Sequence, residues 1–344
     1  MSDNPKEAEK EMEKAIFISA DCWLGVFDLL PPSQLGLGIA MISHRFDYFV
    51  DEHFKTRKWK LRPIVIRSKI GENGAKEMEI VNSDGKELPI PQNPLPNKVI
   101  GFRCIRTFFI DQNVLTFLGH FHRFFANCAT ELDITTENVR ILEFIVHNIW
   151  PMFKDTIYLL ILNIVAFRQM HQLAPSMLND CPSLRTFNLS DGISLGFPPD
   201  DSANASDGQT VAKWLFTPRH DNLKKKFICV MDSTMEQWLA TVEQIKAAFS
   251  NASSPVYFGI SVYFTPSSSL FSSVVPFKLT NELTGEKLEL AKEAEEEEDL
   301  ISFRLNRCPI VPEDKKQQKM VKELDLLLWN RIEIYIEDDG VGDG

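Results

Sequence analysis

The sequence predicts an α/β protein in which a small helical module precedes a series of strand–helix units closed by antiparallel strands. Three observations predict it. Apolar residues recur at helical spacing between Ile16 and Trp59. From Ile105 to Leu189 a strand-sized apolar pattern appears four times, its starts 24, 28 and 27 residues apart. Beyond residue 266 the apolar runs shorten and alternate about turn formers.

The helical module begins after a charged stretch, 1–14, that lacks a core pattern and is expected to be disordered. Ser19 is placed to cap a first helix, on which Trp23, Val26, Phe27 and Leu30 share a stripe. Pro31 and Pro32 stop it, and Ser33 is placed to cap a second helix carrying Leu35, Ile39 and Ile42. A third helix sets Phe46, Phe49, Val50 and Phe54 on one face. These helices form a module over 15–60. Lys60 to Ile70 alternates as a strand, and Asn82 to Pro96 is rich in Gly and Pro, so 61–98 reads as strand and connector before the main domain.

Ile105-x-x-Phe108-x-Ile110-x-x-Asn113 fits the L-x-x-L-x-L-x-x-N strand of a leucine-rich repeat, and segments beginning at Ala129, Ile157 and Leu184 repeat its core. Helix-length apolar stretches lie between them. Each strand–helix unit exposes an apolar face that only its neighbours can bury, so the units are expected to stack over 99–265. Arg106, Phe109, Glu131, Asp133, Arg185 and Asn188 alternate with the apolar core positions and are expected to face outward, where they would bind a target. A β-rich extension is expected over 266–339, with a hairpin about Thr284–Gly285, before a loose tail at 340–344. The acidic run Glu293 to Asp299 reads as a solvated loop.

Composition narrows the function classes. A net charge of −11 disfavours a nucleic-acid backbone as main partner. No apolar run is long enough for a bilayer, and the charged N-terminus has no signal-peptide core, so a cytoplasmic or nuclear protein without membrane contact is expected. The six cysteines are scattered and read as small apolar residues of a reducing compartment. No phosphate-cradling glycine loop, dinucleotide fingerprint, zinc-protease helix or nucleophile elbow is present. His120 and His122 point to different faces of a helix, and His147 and His171 sit in apolar helical stretches as packing residues. Catalysis, cofactor and metal are therefore not expected. Arg219 and the lysines from Lys224 to Lys226 read as a solvated strand edge that could otherwise meet a phosphate.

The helical module resembles an F-box, the motif that docks on the small adaptor subunit of SCF-type cullin–RING ubiquitin ligases. The matching elements are Val26-Phe27, Leu30-Pro31, Leu35 and Ile42-Ser43-His44-Arg45-Phe46, with Trp59 trailing. The usual opening Leu-Pro is replaced here by Ile18-Ser19. The string Cys181-Pro182-Ser183-Leu184-Arg185-Thr186-Phe187-Asn188-Leu189 looks like a repeat strand of F-box proteins with leucine-rich repeats. The whole chain is similar to a nematode F-box-like group of that architecture. The resemblance implies a substrate-recognition subunit that contacts the adaptor, and through it cullin, by Val26, Phe27, Leu30, Pro32, Leu35, Ile39, Ile42, Arg45 and Phe46. The target protein stays unnamed. The alternative is an interaction scaffold whose F-box no longer docks.

Overall fold

The computed structural model describes residues 18–30, 35, 39, 42–56, 59–71, 76–87, 99–119, 121, 129–190, 192–231, 235–264, 274–293, 301–310 and 330–336. The chain divides into two units. The first is Met1–Trp59 with Pro96–Ile100, and the second is Lys60–Leu95 with Gly101–Gly344.

In the first unit, helix α1 (Ala20–Phe27) starts where Ser19 Oγ accepts from the Cys22 N–H at 3.4 Å. Helix α2 (His44–Thr56) starts in the same manner, with Ser43 Oγ accepting from the Phe46 N–H. Phe27, Leu35 and Val50 form the buried centre, and Trp23, Leu24, Leu30, Ile39, Phe46 and Phe49 pack around them. Trp23 meets Phe46 edge-on at 4.8 Å. His53 is buried edge-on against Phe27, its Nδ1 3.7 Å from Asp28. Of the expected middle helix, only Leu35, Ile39 and Ile42 are among the described residues.

The second unit is organised by a twelve-stranded sheet. Its strands are β2 (Ile64–Ile70), β3 (Lys76–Asn82), β5 (Cys104–Thr107), β6 (Thr130–Thr135), β7 (Ile157–Leu162), β8 (Thr186–Leu189), β9 (Lys225–Met231), β10 (Phe258–Phe264), β11 (Phe277–Asn281), β12 (Glu286–Glu293), β13 (Ile301–Pro309) and β14 (Asn330–Tyr335). Two short strands, β1 (Trp59–Leu61) and β4 (Val99–Phe102), pair only with each other. The order across the large sheet is β11-β12-β13-β10-β9-β8-β7-β6-β14-β5-β2-β3. From β10 to β2 all neighbours are parallel, while β3 at one edge and β13, β12 and β11 at the other are antiparallel.

Helices α3 (Gln112–Gly119), α4 (139–153), α5 (Ile164–Leu173), α6 (Asp207–Phe216) and α7 (Met235–Ser250) connect successive strands from β5 to β10. Helix α4 runs through Val139–Phe144, a π-turn at Ile145–Ile149 and a last turn at Trp150–Phe153. Pro151 lacks the N–H that the previous turn needs, and the wider π-turn accommodates its ring. Parallel crossovers are right-handed, so serial connections stepping one way place every helix on one face of the sheet. The burial pattern agrees. Leu132, Ile134, Leu160, Leu162, Phe187 and Leu189 are fully buried under the helices, whereas Glu131, Leu159, Ile161, Thr186 and Asn188 between them are only half-buried. Among the described residues of the second unit, no helix covers the second, open face.

The expected strands at 105–110, 129–134, 157–162 and 184–189 coincide with β5 to β8, and the expected hairpin is β11–β12. Gly285 closes that turn at φ 67°, a conformation costly for other residues. The boundary expected near residue 60 coincides with that between the units, but the later divisions do not match them. The segment 61–98 contributes β2 and β3 to the same sheet as 99–265, so the Gly- and Pro-rich connector is no boundary of the main domain. Nor is 266–339 a separate closing extension. Strands β11–β13 do form an antiparallel edge, but β14 lies parallel between β5 and β6 in the body of the sheet. The acidic run is described only at Glu293, and the rest lies outside the described residues.

Beside the antiparallel edge sits a buried ion pair, Arg307 Nη2 to Glu286 Oε2 at 2.7 Å. Glu286 also accepts from the Val256 N–H at 2.9 Å, and Arg307 donates to the Ser254 carbonyl at 3.2 Å. Removing one partner strands the other charge away from water, so Arg307→Ala should cost about 3–5 kcal/mol in urea unfolding. For β14, Ile334→Ala should cost about 2–5 kcal/mol, whereas Lys278→Ala on the exposed edge strand should change stability by under about 0.5 kcal/mol. Equal, small losses at Ile334 and Lys278 would mean that β14 is not part of the cooperative unit.

Candidate functional site

Each unit presents one surface suited to recognition. In the first, a core of Phe27, Leu35 and Val50 leaves other apolar side chains outside it. Leu29 is 84% exposed, Ile42 63%, Tyr48 60% and Val26 45%. Leu29 follows the end of α1 and Ile42 precedes α2, so both flank the break between helices. Arg45 is exposed, its Nη2 donating to the Ile18 carbonyl at 3.2 Å and its guanidinium 5.3 Å from the Phe49 ring centre.

The expected docking residues thus separate. Val26, Ile42 and Arg45 are exposed. Leu30, Ile39 and Phe46 are partly buried against the core. Phe27 and Leu35 are fully buried, so they hold the module together and cannot themselves meet a partner. Pro32 lies outside the described residues. Leu29 and Tyr48 were missed. A run such as Leu29-Leu30 does not say which leucine turns inward, and Leu29 lies in the turn just beyond α1.

In the second unit the open sheet face carries a charged network where β14 is inserted. In register, Arg106, Glu333 and Asp133 lie side by side on β5, β14 and β6, and Cys104, Arg331 and Glu131 form the next row. Arg106 Nε donates to Glu333. Arg331 Nε lies 2.7 Å from Glu333 and 3.2 Å from Glu131, paired by charge without a well-aimed hydrogen bond. Tyr335 donates its hydroxyl to Asp133 at 2.6 Å, and its ring stacks on exposed Phe108. Burial raises the carboxyls of Glu131 and Asp133 above the ordinary range, opposed at Asp133 by the Tyr335 hydrogen bond and at both by Arg331, while the nearby Glu333 charge adds to the rise. Burial also pushes the Cys104 thiol up to about 11, which leaves it unreactive at neutral pH.

Of the expected target-binding residues, Arg106, Glu131, Asp133 and Asn188 do lie on this face, with Asp133 buried beneath the Tyr335 hydroxyl. Phe109 and Arg185 do not face outward. Strand β5 ends at Thr107, whose hydroxyl bonds the Phe109 backbone, and the bend turns Phe109 into the core at 0% exposure. Arg185 precedes β8 and is 5% exposed, its Nε donating to the Lys224 carbonyl and its Nη1 to the Tyr158 hydroxyl. Two of the supposed strand-edge cations are also internal. Arg219 holds Asp221 and the carbonyls of Ser183 and Leu184. Lys225 donates to the carbonyls of Trp214 and Thr217 at the end of α6, and burial, with the Arg219 charge second, pulls its ammonium down to about 7.

Elsewhere, Asp207, His171 and Thr210 form an acid–imidazole–hydroxyl chain, with contacts of 3.1 and 2.8 Å. Thr210 is fully buried within α6 and His171 is buried beside it, so a substrate cannot reach the hydroxyl and the chain ties α5 to α6. A cavity of about 650 Å³ opens beside it, lined by Arg168, Ser194, Leu195, Gln237 and Thr241 among others. Among the described residues no group of three or more His, Cys, Asp or Glu side chains is placed to hold a metal, and no helix is long and apolar enough to cross a membrane. No family model, curated protein or solved structure matches the chain.

The raised carboxyl of Asp133 gives a pH test. Its folded form holds the proton to higher pH than its unfolded form, so stability from this group is full at low pH and falls as pH rises through the window above about 4. Asp133→Asn keeps an acceptor for Tyr335 and removes the ionisation. Its stability relative to the parent should therefore increase with pH across that window in urea melts. A constant difference would show that Asp133 titrates as if unfolded.

Proposed function

We propose that the chain is a non-catalytic adaptor whose first unit docks on the small adaptor subunit of an SCF-type ubiquitin ligase and whose open sheet face holds a target protein. One observation carries this reading. The first unit closes its own core with Phe27, Leu35 and Val50, yet Val26, Leu29, Ile42 and Tyr48 remain outside it around the helix break where the F-box resemblance expects the adaptor. So small a module gains little from exposing four large apolar side chains unless a partner covers them. The leucine-rich-repeat resemblance of the second unit is supported by the serial parallel order of β6 to β10, with helices on one face and the other face open. An adaptor of this kind acts by proximity, raising the local concentration of target near a transferring enzyme, so it needs no catalytic residue of its own. Such a role belongs to the cytoplasm or nucleus.

Calorimetric titration of the purified ligase adaptor into the full chain tests the proposal. Leu29→Ala with Ile42→Ala should weaken binding by roughly 2 kcal/mol or more, about thirtyfold, at an unchanged melting temperature. Leu35→Ala should instead lower the melting temperature, and Lys55→Ala, exposed on α2, should change neither. Absence of binding by the unmutated chain at high micromolar adaptor would leave an interaction scaffold with a non-docking module in its place.

A further inference from the structure

Helix α7 carries two stripes. Trp238, Val242, Ile245 and Phe249 make the buried one. Beside it Gln237, Thr241 and Gln244, at i, i+4 and i+7, form a polar stripe where packing against a neighbouring helix calls for apolar side chains. That stripe lines a cavity of about 650 Å³, whose other walls are Ser194 and Leu195 after β8, the first turn of α6, and Arg168 of α5. Thr241 is 3% exposed, yet its hydroxyl has no hydrogen-bond partner among the described residues. It is not sealed from solvent either, so it opens on the cavity.

The cavity is rich in donors. Arg168 directs its Nε to Asp207 Oδ2 at 3.1 Å, which leaves both Nη groups. Gln237 accepts from the Ser194 hydroxyl at 3.4 Å and keeps its amide N–H groups, and the Gln244 amide has no partner among the described residues. Ser206 and Gln209 close the capping box of α6, so the N–H groups of Asp207 and Gly208 have no partner within the helix. Asp207, the one carboxylate among the described lining residues, is already engaged, Oδ1 by His171 and Oδ2 by Arg168.

We infer that this cavity binds a small hydroxylated carboxylate, of the hydroxy-acid or sugar-acid class. Arg168 and the first turn of α6 hold the carboxylate, and Thr241, Gln237 and Gln244 hold the hydroxyls. The site is independent of the adaptor reading. Its volume falls within the roughly 300–1,000 Å³ of small-molecule sites, and it lies among the helices, away from the open sheet face. An excess of donors calls for a ligand rich in acceptors. A carboxylate suits the paired N–H fork of Arg168 and the positive end of α6. A phosphate dianion brings more negative charge than one guanidinium already leaning on Asp207 offsets, and an ammonium group meets that guanidinium. Hydroxyls suit the two amides, which donate at one end and accept at the other. Thr241, held almost out of solvent, gains the partner that the fold does not give it.

Calorimetric titration of glucuronate into the full chain tests it, with glucose, acetate and inorganic phosphate as comparison probes. Glucuronate should bind with a Kd of about 1 mM or tighter, in keeping with its size. Each comparison probe should bind at least about tenfold more weakly. Arg168→Gln should weaken glucuronate about tenfold, and Thr241→Val about threefold or more, at an unchanged melting temperature. Ala240→Phe, at an exposed position of α7 that lines the cavity, should fill it and abolish binding, which keeps the test intact if Thr241→Val disturbs packing. Arg140→Gln, an equal charge change on α4, should leave binding within about twofold. Absence of glucuronate binding at about 20 mM, equal binding of any comparison probe, or unaltered binding by the Arg168 and Ala240 variants would overturn the inference.

Discussion

The insertion of β14 between β5 and β6 is the contact on which the second unit depends. Without it those strands would stand two spacings apart, about 10 Å, each with an unpaired row of backbone donors and acceptors inside the sheet. Ile332 stands in register between Ile105 and Leu132, and Ile334 between Thr107 and Ile134, so the same strand completes the buried layer beneath the helices. Asn330 adds a side-chain bond to the Phe102 N–H at 3.0 Å, across 228 positions of sequence. So long a closure costs loop entropy before it returns any contact, which places completion of the sheet late in folding.

The electrostatics of the open face follow from that insertion. Glu333 is carried by β14 into a position where its carboxylate is almost fully covered, and it is tolerated there because Arg106 and Arg331 lie against it. The same crowding withdraws water from Glu131 and Asp133 and raises both carboxyls. The acids of this part of the face are consequently paired by charge or hydrogen bond within the fold. One strand placement decides the pairing and the raised carboxyls alike.

Local pattern made much of this legible. The periodic apolar triplets locate β5 to β8, Ser19 caps α1 as its chemistry suggests, and the Thr284–Gly285 turn closes its hairpin. What local pattern cannot carry is non-local pairing. Arg331 to Tyr335 read as one more short strand, and nothing in its residues says that it joins β5 and β6 instead of a neighbouring hairpin. Alternation also assumes that a strand continues, and it fails where strands stop. Phe109 lies beyond the end of β5 and Arg185 before the start of β8, so both turn inward against the expected parity. In the first unit the apolar stripe marks the residues that pack but not their allotment, and Phe27 and Leu35, expected at a partner's surface, form the core. Leu29, overlooked beside Leu30, is the most exposed of the large apolar side chains there.

The functional account assigns separate surfaces to separate units, the first docking on a ligase adaptor and the second holding a target. Hydrogen–deuterium exchange of the full chain, with and without saturating ligase adaptor, tests that assignment directly. The account predicts slowed exchange in α1, α2 and the segment between them, with rates in β5, β6 and β14 unchanged. Protection spread over the sheet, or none anywhere at saturation, would contradict it.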